Sequence, residues 1–258
     1  MPRYFLQLAY RGTAYHGWQV QENAHTVQAE FNEKISILCG EDVNVTGCGR
    51  TDTGVHARQF FLHFDLHNSL SPSAGHFAFK LNRFLPADIA VYGAWQVPAE
   101  AHARFDAVSR TYRYYISTQK DPFITGMAMQ YSGKLRLNAM QQATRYLFDY
   151  EDFTSFSKLH TQTTTNICHI TEAFWEERGG LLVFTITADR FLRNMVRAIV
   201  GTLLEIGRGK MKPEALKEIV EAKDRRTAGF SAPAQGLFLE RVRYAPDLEE
   251  IFRTKEKG

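Results

Sequence analysis

Residues 47–57 read Gly-Cys-Gly-Arg-Thr-Asp-Thr-Gly-Val-His-Ala. A single carboxylate, Asp52, lies between glycine-bearing turns, with Arg50 two residues before it and His56 four after it. The glycines permit a tight loop. Val43-Asn44-Val45-Thr46 before it and Phe60-Phe61-Leu62-His63-Phe64 after it have the look of strands. A charged loop carried between two apolar strands is a common place for chemistry, here that of one carboxylate beside a guanidinium and an imidazole. The plainer alternative is a glycine-rich turn whose Arg50 and Asp52 are simply solvated.

Other groups can join it. Arg197 stands between Val196 and Ala198, four residues after Arg193, in a stretch whose apolar residues recur at helical spacing. It can pair with a buried carboxylate through a two-pronged contact, or its stem can cross apolar surface while its head reaches water. Ser109 to Ile116 alternates cations and aromatics: Arg110, Tyr112, Arg113, Tyr114, Tyr115. Such a strand offers a stacking surface for an unpaired base, with Arg110 and Arg113 on phosphates. At least one of the tyrosines must serve ordinary packing, because alternate residues face opposite sides. His56, His63 and His67 do not make a metal set, since His63 and His67 share a face only in a helix and their context is a strand. Cys48 reads as a small buried residue rather than a nucleophile. Lys210, Lys212, Lys217, Lys223, Arg225 and Arg226 can meet phosphate or form a solvated face.

The elements that must position these groups follow from periodicity. Arg3 to Tyr10 is a strand, and Arg11 to Gln19 a glycine-punctuated loop carrying Tyr15, His16 and Trp18. Thr26 caps a helix ended by Gly40. After the Asp52 loop come a strand, a helix over 72–84 stopped at Pro86, and a strand from Ile89. Strand, helix, strand, strand, helix, strand is the order of a ferredoxin-like split β-α-β unit. The pattern resets near residues 102–105. The second half has a strand at 109–116, a helix at 138–148, a polar loop at 158–166, and strands at 167–175 and 181–188 joined at Gly179-Gly180. Helices at 191–206 and from Pro213 to about Ala222 and a closing strand at 237–244 complete it. The expected class is α+β, in two halves, 1–105 and 106–258, that pack together.

With 44% hydrophobic and 23% charged residues, the 258-residue chain has ordinary globular proportions. Net charge is +3, but residues 1–105 hold 8 Lys+Arg against 9 Asp+Glu, and the rest 23 against 19. The basic excess therefore lies in the second half. Three widely spaced cysteines without a C-x-x-C pair argue against a disulfide framework or zinc ribbon and fit a reducing cytoplasm. No apolar run approaches membrane-spanning length, and Met1 to Phe5 has no signal-peptide character.

Taken together these stretches resemble the bacterial tRNA pseudouridine synthase A family. Gly49-Arg50-Thr51-Asp52-Thr53-Gly54-Val55-His56-Ala57 looks like its catalytic signature. Gly12-Thr13 with Gly17-Trp18-Gln19, Leu85-Pro86-Ala87-Asp88, His102-Ala103-Arg104-Phe105, Arg110 to Tyr114, Asp152 to Phe156, Phe191 to Arg197, and Ala232-Pro233 with Gly236-Leu237 match further blocks in family order. Arg11, Cys48 and Thr53 depart from the usual Asp, Ala and Ala. The resemblance implies two RRM-like, ferredoxin-like halves with antiparallel sheets around a central catalytic cleft. It implies isomerisation of uridine to pseudouridine in the anticodon arm of tRNA: uracil leaves C1′ through N1 and rejoins through C5. No cofactor, metal or energy source is implied, and the working form is a homodimer holding tRNA. By the match, Asp52 is the essential carboxylate, whether it attacks C1′, attacks C6 or takes a ribose proton. Tyr112 packs on the target base, Arg197 pairs with the carboxylate, and Arg50, Arg110, Arg113 and Leu237 contact substrate. An expelled base needs an aromatic face, and an anion kept in a dry pocket needs a cation beside it.

Two other readings compete. Asp52-Thr53-Gly54 faintly resembles the nucleophile loop of aspartyl-phosphate phosphotransferases, which need Mg²⁺ and would fail in a chelator. A non-catalytic RNA-binding module would use the aromatic-basic strand alone and leave the Asp52 loop unexplained.

Overall fold

The computed structural model describes residues 1–158 and 165–254. In chain order it contains β1 (Arg3–Tyr10), α1 (Val27–Cys39), β2 (Thr46–Gly47), β3 (His56–Asp65), α2 (Ala74–Phe84), β4 (Ile89–Val97) and β5 (Ala107–Ser117). Then follow β6 (Met129–Gln130), α3 (Leu137–Arg145), β7 (Ile170–Arg178), β8 (Leu181–Ala188), α4 (Met195–Gly207), α5 (Ala215–Glu221), β9 (Leu237–Tyr244) and α6 (Pro246–Arg253). The class is α+β. The polar stretch read at 158–166 lies mostly outside the described residues.

The chain divides into two compact units, Met1–Val108 with the segment from Leu239, and Ser109–Phe238. The residue pattern places everything after residue 105 in one half; the segment from Leu239 instead groups with the first unit. The reason is side-chain packing within that unit. Tyr244 sets its ring edge on Phe61 at 5.1 Å and donates its hydroxyl to the Ala103 carbonyl at 2.6 Å. Phe252 of α6 packs on Phe5, Phe61 and Trp95. Helix α6 was not foreseen.

In the first unit the strand order is β4-β1-β3, with β2 also on β3, all antiparallel. That is the split β-α-β order the element sequence predicts. Tyr4, Leu6, Leu8, Phe60, Leu62 and Phe64 alternate onto one buried face. Thr26 accepts the Ala29 amide at the start of α1, and Gly40 closes it in a left-handed conformation. The strand expected over 43–46 shrinks to Thr46–Gly47. Its backbone is taken by α1 instead: Val43 N donates to Ser36 Oγ, Val45 N to Asn32 Oδ1, and the Val45 carbonyl accepts from Gln28 Nε2.

In the second unit β5, β8 and β7 form an antiparallel sheet, and β6 adds in parallel to β5. Helix α4 is buried nearly all round and is the unit's central element. It begins at Met195, not at Phe191 as its apolar spacing predicts. Asn194 takes a left-handed backbone (φ 67°), and residues 192–195 close a turn through Met195 N to the Leu192 carbonyl. Arg193 therefore stands outside the helix and does not share a helical face with Arg197. Strand β7 likewise starts at Ile170 because Cys168 N donates to the Glu151 carbonyl and His169 N to Asp189.

Candidate active site

Asp52 is half-buried in the turn between β2 and β3. The loop is held from outside by residues 12–18. Trp18 N donates to the Thr51 carbonyl at 3.2 Å, and Gly54 N to the Tyr15 carbonyl at 3.4 Å, so the backbone is tied on both sides of Asp52. Val55 N closes the turn on the Asp52 carbonyl at 3.1 Å. Tyr10 and Thr51 share a hydroxyl hydrogen bond of 2.8 Å. Gly17 has a φ of +88°, and a Cβ there would stand 2.5 Å from the Thr51 carbonyl oxygen. Only glycine lets the two loops approach this closely. Tyr15 and Trp18 are themselves buried; the Tyr15 hydroxyl donates to Asp88 at 2.7 Å, and the Trp18 ring lies 4.1 Å from that of Phe60.

The other predicted residues of this unit fall as follows. Arg50 is exposed. His56 is buried and its Nδ1 accepts the Gly12 amide at 3.0 Å, which puts the proton of the neutral ring on Nε2. His63 uses Nδ1 to accept the Ala103 amide, and His67 pairs with Glu41. Among the described residues no three His, Cys, Asp or Glu side chains converge as a metal set. Cys48 is fully buried, and its Sγ accepts the Phe61 amide. Of the departing residues, Arg11 and Thr53 are exposed.

In the second unit, β5 places Arg110, Tyr112 and Tyr114 on one face, opposite Ala188, Ile186 and Phe184 of β8. Arg113 and Tyr115 take the other face. Tyr114 is the packing tyrosine: it is fully buried, donates to the Pro233 carbonyl at 2.8 Å, and has its pKa raised by burial against the opposing charge of Arg197. Tyr112 is half-buried, with the Phe191 ring edge-on at 5.1 Å. Arg110 donates to the Asp189 carbonyl at 2.8 Å. Leu237 is buried at the start of β9. Arg197 stands in the first turn of α4, half-buried, with Nε donating to the Ala232 carbonyl at 2.7 Å.

The first unit thus carries a carboxylate on a doubly tied turn, and the second an arginine with a held guanidinium edge and a tyrosine whose ring is supported. The relatives decide the family. The chain is 52% identical to the tRNA pseudouridine synthase A of Parabacteroides distasonis over 256 residues, 99% of this chain and 100% of that one. It is 53% identical to the enzyme of that name from Bacteroides thetaiotaomicron, covering 100% and 95%, and 43% identical to that of Clostridium acetobutylicum, covering 93% and 98%. The chain belongs to the tRNA pseudouridine synthase A family. A tRNA pseudouridine synthase family model also matches residues 143–245.

Two supports of these candidate residues are not announced by the residue pattern. One is the clasp of the 12–18 loop on the Asp52 turn; its signal was the glycines and buried aromatics of that loop, noted there without a partner. The other is the stretch 228–233 beside Arg197, whose Gly229, Ser231 and Pro233 signal an extended, hydrogen-bonded segment rather than a helix.

Proposed function

We propose that this chain isomerises uridine to pseudouridine in the anticodon arm of tRNA, with Asp52 as its essential carboxylate. The activity rests on one observation, full-length identity near 50% to proteins named tRNA pseudouridine synthase A. The residue roles are our reading. Asp52 acts as an anion on the extruded nucleotide, Arg197 is the cation that pairs with it, and Tyr112 is the flat face for the target base. Arg50, Arg110, Arg113 and Leu237 contact the substrate around them. The tied turn supports this reading for Asp52, and the Ala232 contact supports it for Arg197. Bond breaking at N1 and bond making at C5 balance within one nucleotide, so no co-reactant is consumed. We further propose a homodimer working in the reducing cytoplasm, where Cys39, Cys48 and Cys168 remain thiols.

The test is incubation with unmodified tRNA in a chelator followed by nucleoside analysis. Pseudouridine should form with the purified protein alone. Asp52→Asn keeps shape and deletes charge, so it should give no product while tRNA binding, carried mainly by phosphate contacts, is largely retained. Full turnover by Asp52→Asn removes that residue from the chemistry. Strict dependence on a divalent ion, with tRNA folding controlled, favours the phosphotransferase-like alternative. Light scattering of the free protein reads the dimer.

A further inference from the structure

The second unit holds an arginine, Arg225, to which the proposed reaction assigns no role. Arg225 sets its Nη1 on the Gly229 carbonyl at 3.0 Å and the Ala228 carbonyl at 3.4 Å, and its Nη2 on Ser231 Oγ at 3.1 Å. All three acceptors are neutral. Burial lowers the pKa of this guanidinium, though such a group stays charged at any working pH. Its neighbour Arg226 is 85% exposed and does the ordinary thing, pairing with Asp224. A half-buried cation spent on two carbonyls and a hydroxyl contributes shape, since a fork of rigid donors can gather several acceptors at once.

What it gathers is the strap 228–233, which lies along the first turns of α4. Gly229 N donates to Thr202 Oγ1 at 2.8 Å, and a Cβ on Gly201 would stand 1.7 Å from the Phe230 carbonyl oxygen, so strap and helix meet backbone to backbone. Asn194 Nδ2 donates to Ser231 Oγ at 2.7 Å. Ala232 then clasps Arg197 twice: its amide donates to the Arg197 carbonyl at 2.9 Å, and its carbonyl accepts Arg197 Nε at 2.7 Å. One strap carbonyl thus holds the Nε edge of the Arg197 guanidinium.

We propose that Arg225 is a positioning residue for Arg197: by drawing Ala228, Gly229 and Ser231 together it holds the Ala232 carbonyl on Arg197 Nε. The inference rests on the reading of Arg197 as the cation of the site. Misplacement of a reacting-site group by an ångström costs up to about a hundred-fold in rate. Arg225→Met in the full chain should therefore lower kcat on unmodified tRNA by about 10- to 100-fold, with KM within about two-fold. Measured below the unfolding transition, a purely structural role would leave kcat unchanged. Arg225→Lys should recover only part of kcat, one ammonium being unable to span the three acceptors.

Wild-type kcat in folded Arg225→Met overturns the proposal. So does a loss confined to KM with a shallower salt dependence of binding, which marks a phosphate contact. If Arg225→Met does not fold, Ser231→Ala removes one acceptor and leaves the arginine; it should lower kcat in the same direction, and normal kcat there overturns the proposal too. Arg197→Met is assayed alongside. An active Arg197→Met refutes the role of Arg197 and the inference with it, whereas an inactive Arg197→Met beside a fully active Arg225→Met refutes the inference alone.

Discussion

Tyr112 presents two separable properties, a flat ring and a hydroxyl. Tyr112→Phe keeps the ring and Tyr112→Leu removes it. If stacking is the main role, tRNA turnover should suffer far more in the leucine variant; a phenylalanine variant that binds tRNA yet is nearly inactive assigns the hydroxyl a proton-moving role. His63 is a different case. Burial, with Arg3 and His102 adding positive charge, lowers its pKa to about 4 against the opposing pull of Asp65 and Asp106. An unfolded histidine takes up its proton near the usual 6.5 and the folded one resists until about 4, so stability is full above 6.5 and falls as pH drops between them. The full shift is worth roughly 3 kcal/mol. His63→Gln can keep an acceptor for the Ala103 amide and lacks the titration, so its urea midpoint should fall less between pH 7.5 and pH 5 than that of the wild type. An equal fall in both clears His63 of the effect. Nothing in the alternating pattern of β3 announced this: spacing gave the face on which His63 lies, and only tertiary packing supplies the amide that it accepts.

At the scale of elements, local signals were sound where backbone partners are local. Thr26 and Gly40 bracket α1 as read, and the Gly179-Gly180 turn joins β7 to β8. Boundaries failed where distant groups took the backbone instead: α1 side chains at 43–45, Glu151 and Asp189 at 168–169, and Lys158, whose amide donates to the Arg193 carbonyl before α4. Helix α6 was legible and unread, for Pro246 opens it, Asp247 and Glu249 fill its first turn, and Leu248, Ile251 and Phe252 give it an apolar face. The clasp of the 12–18 loop on the Asp52 turn carries its own prediction. Gly17→Ala places a methyl against the Thr51 carbonyl in an unfavourable backbone region, at a cost on the order of 1–3 kcal/mol. Because the strain falls on the turn bearing Asp52, kcat should drop by more than the shift in urea midpoint explains. A variant destabilised but fully active below its unfolding transition would show that the turn keeps its place without the clasp.

For the molecule as a whole, the two units differ in how the chain builds them. Ser109–Phe238 is continuous, while the first unit needs residues before 109 and residues from Leu239 onward. A chain stopped after Phe238 lacks Tyr244 and Phe252, which cover Phe5 and Phe61. Hydrogen exchange on that chain should find amides of α4 and β8 protected and those of β1 and β3 exchanging quickly. Equal protection in both sets would mean that the first unit closes without its C-terminal segment.

That discontinuity has a consequence during synthesis. The strands carrying the Asp52 turn leave the ribosome before the second unit is made, yet the segment that covers their aromatic face follows that unit. At about 5–20 residues per second, the 130 residues between Val108 and Leu239 take on the order of ten seconds to translate. Through that interval Phe5, Phe61 and Trp95 wait uncovered, a surface that chaperones hold and that a truncated message would leave permanently exposed.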